Sequence, residues 1–165
     1  MADRSGAQAA LRDYERMAFL HAPDATLILS GRVILRANLR VADVFGWRPE
    51  ELEGQSMRLL YPAPSDYEVI GERARKALQD QTVFSDERFM RRKDGQVVWM
   101  EGTGTALDRG DPEKLAIWTY RPAETKAGRR YALVTLGNMG ERAGADGASA
   151  LVQWARESDD VLRVE

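Results

Sequence analysis

The sequence predicts an α+β fold, an antiparallel sheet with helices gathered on one face. Two observations carry that prediction. The order of elements is one helix, two strands, several short helices, then three strands, which is neither a regular βαβ alternation nor an all-α pattern. Turn dipeptides, Ser30-Gly31 and Asp94-Gly95, separate β-rich runs at hairpin spacing. The length, 165 residues with 44% apolar and 30% charged side chains, suits one domain with a proper core and a small appendage.

The elements follow in chain order. Residues 7–20, "AQAALRDYERMAFL", contain no Gly or Pro and place Leu11, Tyr14, Met17 and Ala18 at helical spacing, with charged residues between. Pro23 ends that helix, because the residue before a proline disfavours the helical region. Thr26–Leu29 and Val33–Arg36 read as a hairpin about Ser-Gly. A short helix is expected to stop at Gly46, and a second to open at Pro49 and close at Gly54. The longest helix of the domain spans residues 65–80, capped by Ser65 or Asp66, with Val69, Ala74 (or Arg73), Ala77 and Leu78 on a partly apolar face. Two strands then meet at Asp94-Gly95, and a third, "KLAIWTYRP", follows a turn. Arg91, Arg92 and Lys93 are expected at a solvated hairpin tip.

Composition excludes several chemistries. Absence of cysteine removes disulfides, thiolate metal sites and a cysteine nucleophile. One histidine, His21, rules out a multi-histidine metal site in one chain. A net charge of −2 gives no global field for nucleic acid or an anionic membrane. The N-terminal segment reads as neither signal peptide nor anchor, and no apolar run approaches the ~20 residues of a membrane span. The expected compartment is the cytoplasm.

Residues 25–121 resemble a PAS domain of the bacterial S-box type, PAC half included. The motifs that carry the resemblance occur in register: Ala37-Asn38, "FGWRPEELEG" at 45–54, "LLYP" at 59–62, "RRKDGQVVW" at 91–99, and Ile117-Trp118. The resemblance implies a five-stranded sheet of order 2-1-5-4-3. It also implies an ion pair between Glu51 and Lys93, a structural pin rather than a functional contact. A ligand cavity would lie between helices and sheet, with Asn38, Phe45, Trp47, Leu60, Ile70, Trp99, Thr105 and Trp118 as candidates. Members are usually sensory or interaction modules that bind a flavin, heme or small metabolite, or nothing.

Here the cysteinyl-flavin photoadduct is disfavoured for want of a cysteine. Heme is disfavoured because the long helix has no histidine. Non-covalent flavin stays open: Trp47, Trp99 and Trp118 offer aromatic walls, although core packing is the preferred reading for all three.

Catalysis is not expected. Acid pairs such as Glu50-Glu51 and Asp86-Glu87 do not converge, because adjacent carboxylates point to opposite faces of a strand and face water on a short helix. No Ser-His-Asp set is supported, and "GTG" at 102–104 lies inside a strand pattern. The glycines there are read as letting the sheet bend or a ligand approach. Residues 1–22 are assigned as a flanking helix, 23–122 as the domain, and 123–165 as an extension holding a strand or helix, a Gly-rich loop and an amphipathic helix. The exit at Tyr120-Arg121-Pro122 departs from the usual acidic exit of the family. The expectation is a stand-alone sensory or protein-interaction module in bacterial signalling, homodimeric through Leu11, Tyr14, Met17 and Ala18. Its partner would be a signalling protein or a small molecule. The alternatives are a DNA-associated regulator using the extension, or a flavin redox sensor.

Overall fold

A computed structural model describes residues 4–108 and 110–123. The expectations for 124–165 lie outside the described residues. Helix α1 (Arg4–Leu20) leads into β1 (Ala25–Ser30) and β2 (Val33–Ala37). Short helices α2 (Val41–Phe45) and α3 (Pro49–Leu52), a 3-10 turn at Met57–Leu60, and the long α4 (Pro64–Asp80) follow. Then come β3 (Val83–Arg91), β4 (Val97–Ala106) and β5 (Ala116–Pro122). The five strands form one antiparallel sheet in the order β2-β1-β5-β4-β3.

Local chemistry accounts for the connections. The β1–β2 turn consists of Gly31 and Arg32, both at positive φ (56° and 62°), the twist-matched two-residue hairpin turn. The turn is thus Gly-Arg, one residue later than the Ser-Gly expected. A left-handed non-glycine residue costs roughly 1–2 kcal/mol. Arg32 is held there by α4: its Nη2 donates to the Tyr67 carbonyl, and its guanidinium lies 3.3 Å from the Tyr67 ring centroid. Gly71, one helical turn on, leaves room for that guanidinium, which any Cβ would strike. Helix α2 ends at Gly46 in the left-handed conformation, as its position after Phe45 predicts.

Three local expectations are corrected. Helix α4 is not capped by Ser65 or Asp66: it starts one residue earlier, with Pro64 in the first turn and an extended Ala63 before it. Its buried residues are Tyr67, Ala74 and Leu78, while Val69 is exposed. At 3.6 residues per turn Val69 falls on the side of α4 away from that stripe. The β3–β4 tip is not simply solvated. Arg92 Nη1 donates to the carbonyls of Asp43 (3.3 Å) and Val44 (3.2 Å), and Arg91 Nη2 to that of Leu59 (3.2 Å). Both arginines fasten the hairpin to the helical layer, with the Lys93 backbone N–H adding a bond to Phe45 O at 2.8 Å.

Strand alternation divides the sheet into two faces. Ala25, Leu27, Leu29, Met100, Ala106, Ala116, Trp118 and Tyr120 point toward the helices and are buried with Phe45, Leu52, Leu60 and Leu78. The opposite face carries Ile28, Trp99, Thr103, Thr105, Ile117 and Thr119, all partly exposed. No described helix is long and apolar enough to cross a membrane.

Candidate functional site

The site is built by an exchange of bulk between β4 and β5. On β4 the core-facing positions 102 and 104 are glycines, and opposite them in register stand Tyr120 and Trp118 of β5. The two rings lie flat over the glycines, stacked on each other at 6.0 Å and 14°. A Cβ at Gly104 would sit 2.5 Å from Trp118 Cε2, and one at Gly102 would sit 3.0 Å from Tyr120 Cε1. The "GTG" motif therefore makes room for aromatic rings of the neighbouring strand. Phe84 closes the far edge of Trp118, and Phe45 meets Tyr120 edge-on at 5.6 Å.

Beyond these rings, between the sheet and α4, lies a cavity of about 50 Å³, space for a few waters or a ligand of a few heavy atoms. Its apolar walls include Leu29, Ile70, Ala74, Leu78, Ala116 and Trp118. Arg32, Arg75 and Glu113 also line it. Glu113 is exposed, so the cavity reaches the surface beside the β4–β5 loop.

A buried ion pair supplies the polar side. Asp86 and Arg88 lie two residues apart on β3 and so share its core face. Arg88 is 3% exposed and lines the cavity. Its Nε donates to Asp86 Oδ1 at 2.7 Å, its Nη2 to the same oxygen, and its Nη1 to the Tyr61 hydroxyl at 2.9 Å. The guanidinium also stands 5.0 Å from the Trp118 ring centroid, within cation–π range. Asp86 Oδ2 is buried with no partner among the described residues. Complete burial pushes the Tyr120 hydroxyl well above the usual tyrosine range, so it stays neutral at any working pH.

The eight cavity candidates from sequence separate into distinct places. Ile70 and Trp118 line the cavity. Phe45 and Leu60 are fully buried core residues outside its lining. Trp99 and Thr105 are corrected: both lie on the opposite sheet face. There Trp99 packs on Phe89 at 4.8 Å and donates its Nε1 hydrogen to Glu87 at 2.7 Å. Trp47 packs against the core but does not line the cavity, with Lys93 Nζ 5.1 Å over its ring. Asn38 is spent on backbone. Its Oδ1 accepts from Thr26 N–H and its Nδ2 donates to Asp24 O, each at 2.9 Å, which leaves its amide facing the chain rather than a ligand.

Glu51 and Lys93 lie 2.7 Å apart. Glu51 also accepts from the Arg48 N–H at 2.9 Å, capping α3. The bond from Lys93, then that from Arg48, hold the Glu51 carboxyl below the usual 4.5. Along α1, Leu11 (56% exposed), Tyr14 (71%), Met17 (52%) and Ala18 all face outward. His21 is exposed, and the described residues hold no cluster of acidic and histidine side chains able to bind a metal.

Comparison with known proteins agrees with this geometry. The family described as PAS fold matches residues 34–119, more than half of the chain. The sensor protein TdiS of Thauera aromatica is 38% identical over 103 residues, covering 62% of this chain and 19% of that protein. The chain thus spans about a fifth of that curated relative's length. The PAS domain of a LuxR-family transcriptional regulator from Burkholderia thailandensis, solved in complex with ethanol, is 33% identical. It superposes with a TM-score of 0.64 over 67% of this chain and 97% of its own. A PAS domain from Colwellia psychrerythraea, 23% identical, shares the fold with a TM-score of 0.62 over 68% of this chain and 97% of that one. Sheet order, helical layer and sequence match together place the chain in the PAS-fold family.

Proposed function

We propose that the chain is a non-catalytic sensory module in cytoplasmic signal transduction, reporting the occupancy of the cavity between α4 and the sheet. The observation that carries this reading is the cavity itself. It combines apolar walls, two stacked aromatic rings and a buried arginine, the composition typical of a small-molecule site. The similarity to a sensor protein and to a PAS domain that holds ethanol supports it. A volume of about 50 Å³ favours a ligand of a few heavy atoms over a flavin. Binding would act by population shift, favouring one arrangement of the segments that flank the sheet.

Native mass spectrometry of freshly purified protein, then denaturing spectra and a visible scan of the same sample, tests the reading. A small mass lost on denaturation supports it. A yellow sample would replace the small ligand with a flavin.

A second reading has its own observation. The exposed stripe of Leu11, Tyr14, Met17 and Ala18 on α1 is suited to a second copy of this helix, making the chain a homodimeric interaction module. The variant Leu11→Glu/Tyr14→Glu is expected to halve the mass measured by light scattering. An unchanged mass counts against this interface.

A further inference from the structure

Resting on the sensing reading above, we propose that the cavity selects an uncharged small molecule bearing a hydrogen-bond-accepting oxygen, held by Arg88, and rejects an anion of the same shape. The argument begins with donors. A guanidinium has five N–H hydrogens. Among the described residues Arg88 spends its Nε hydrogen and one on Nη2 on Asp86, and one on Nη1 on Tyr61. One hydrogen on each terminal nitrogen is left, on a side chain that lines the cavity and is almost wholly buried. A carbonyl or hydroxyl oxygen is the natural occupant, with its carbon body against Ile70, Ala74 and Leu78.

Charge decides between a neutral and an anionic guest. Asp86 already compensates Arg88, so the buried pair is neutral as a unit. A carboxylate would be stripped of water against a site with no net positive charge, and buried charge without compensation is strongly disfavoured. The remaining lining cations do not restore the balance. Arg75 is bound to Glu72 at 2.7 Å, and Arg32 is committed to the Tyr67 carbonyl and ring, with Glu113 lining the same cavity. A neutral oxygen accepts the same N–H bonds without that penalty.

Acetone and acetate provide the test, because they share a planar four-atom shape and differ in charge. Methyl NMR of the full chain would follow the Leu29, Ile70, Ala74, Leu78 and Ala116 signals, with dissolved xenon as an apolar probe. Acetone is expected to shift these methyls and saturate in roughly the millimolar range, given so few atoms. Acetate should bind roughly tenfold more weakly or worse. The isosteric Asp86→Asn removes the compensating charge and should reverse the order, acetate becoming the tighter ligand. Should Asp86→Asn fail to fold, the paired change Asp86→Leu/Arg88→Met serves in its place, with xenon binding kept and acetone binding lost.

Acetate binding the native chain as tightly as acetone overturns the proposal. So does Asp86→Asn leaving the order unchanged, or the paired variant still binding acetone. Xenon shifts without acetone shifts leave the sensing reading intact and remove this one. Silence from all three probes removes both.

Discussion

Replacing Gly104 by alanine isolates the packing that forms the cavity. The new Cβ would lie 2.5 Å from Trp118 Cε2 and Cζ2 and 2.8 Å from Cη2, whereas carbon atoms in contact settle at about 3.5–4.0 Å. The indole must therefore retreat by about 1 Å. It is not free to do so cheaply, being stacked on Tyr120 and edge-packed on Phe84. Overpacking of this kind costs about 1–3 kcal/mol. The opposing effect, the lower unfolded-state entropy of alanine, returns about 0.4–1 kcal/mol. The net loss should be about 1–2 kcal/mol, or roughly 3–10 °C in Tm for a domain of this size. Urea unfolding followed by tryptophan fluorescence measures it, and the near-UV circular dichroism of the Trp118–Tyr120 stack should change in the folded protein. Thr105→Ala on the opposite face should stay within about 0.5 kcal/mol of the native chain. A Gly104→Ala chain as stable as the native one would refute the reasoning, since only the collision opposes the entropic gain.

The other predictions use the same logic of paired and orphaned groups. Asn38→Ala strands the buried Thr26 N–H and should cost about 2–3 kcal/mol in urea unfolding; a loss below about 0.5 kcal/mol would mean water replaces the amide. Asp86→Leu alone leaves Arg88 buried without its counter-charge and should cost about 3–5 kcal/mol, whereas Asp86→Leu/Arg88→Met should recover most of it. Equal losses in the two variants would show that the pair is not the cause. Glu51 titrates below the usual 4.5 in the folded chain, so its contribution to stability is present above 4.5 and lost as pH falls through the lower folded value. Lys93→Met should raise the Glu51 midpoint toward 4.5 in a carboxyl NMR titration, and an unmoved midpoint would assign the depression to the Arg48 N–H alone.

Much of the fold was legible because it is written in local chemistry. Gly46 and Pro49 mark the ends of the two short helices, and hairpin-length spacing separates the strands on each side of the helical layer. The cavity was less legible, because its shape depends on which of two faces a strand presents. Trp99 looked like a cavity wall on size alone, yet alternation with Met100, Gly102 and Gly104 puts it on the other face. Small residues face the core on β4 because β5 fills the space, and that trade appears only when the two strands are set in register. Asp86 and Arg88 carried a readable signal, opposite charges two apart on a strand. Pairing Asp86 with its neighbour Glu87, and dismissing the two because they point to opposite faces, leaves the Arg88 partner two residues on unread. Asn38 was misplaced for another reason: a buried amide satisfies backbone as readily as it meets a ligand, and sequence does not distinguish the two.

The central claim is that a small molecule has a place between α4 and the inner face of the sheet. A crystal of the full chain pressurised with xenon tests it most directly. The account predicts xenon density bounded by Ile70, Ala74, Leu78 and Trp118, with Arg88 and Asp86 still paired beside it. Xenon found only elsewhere, with the Trp118 ring collapsed onto Ala74, would contradict it.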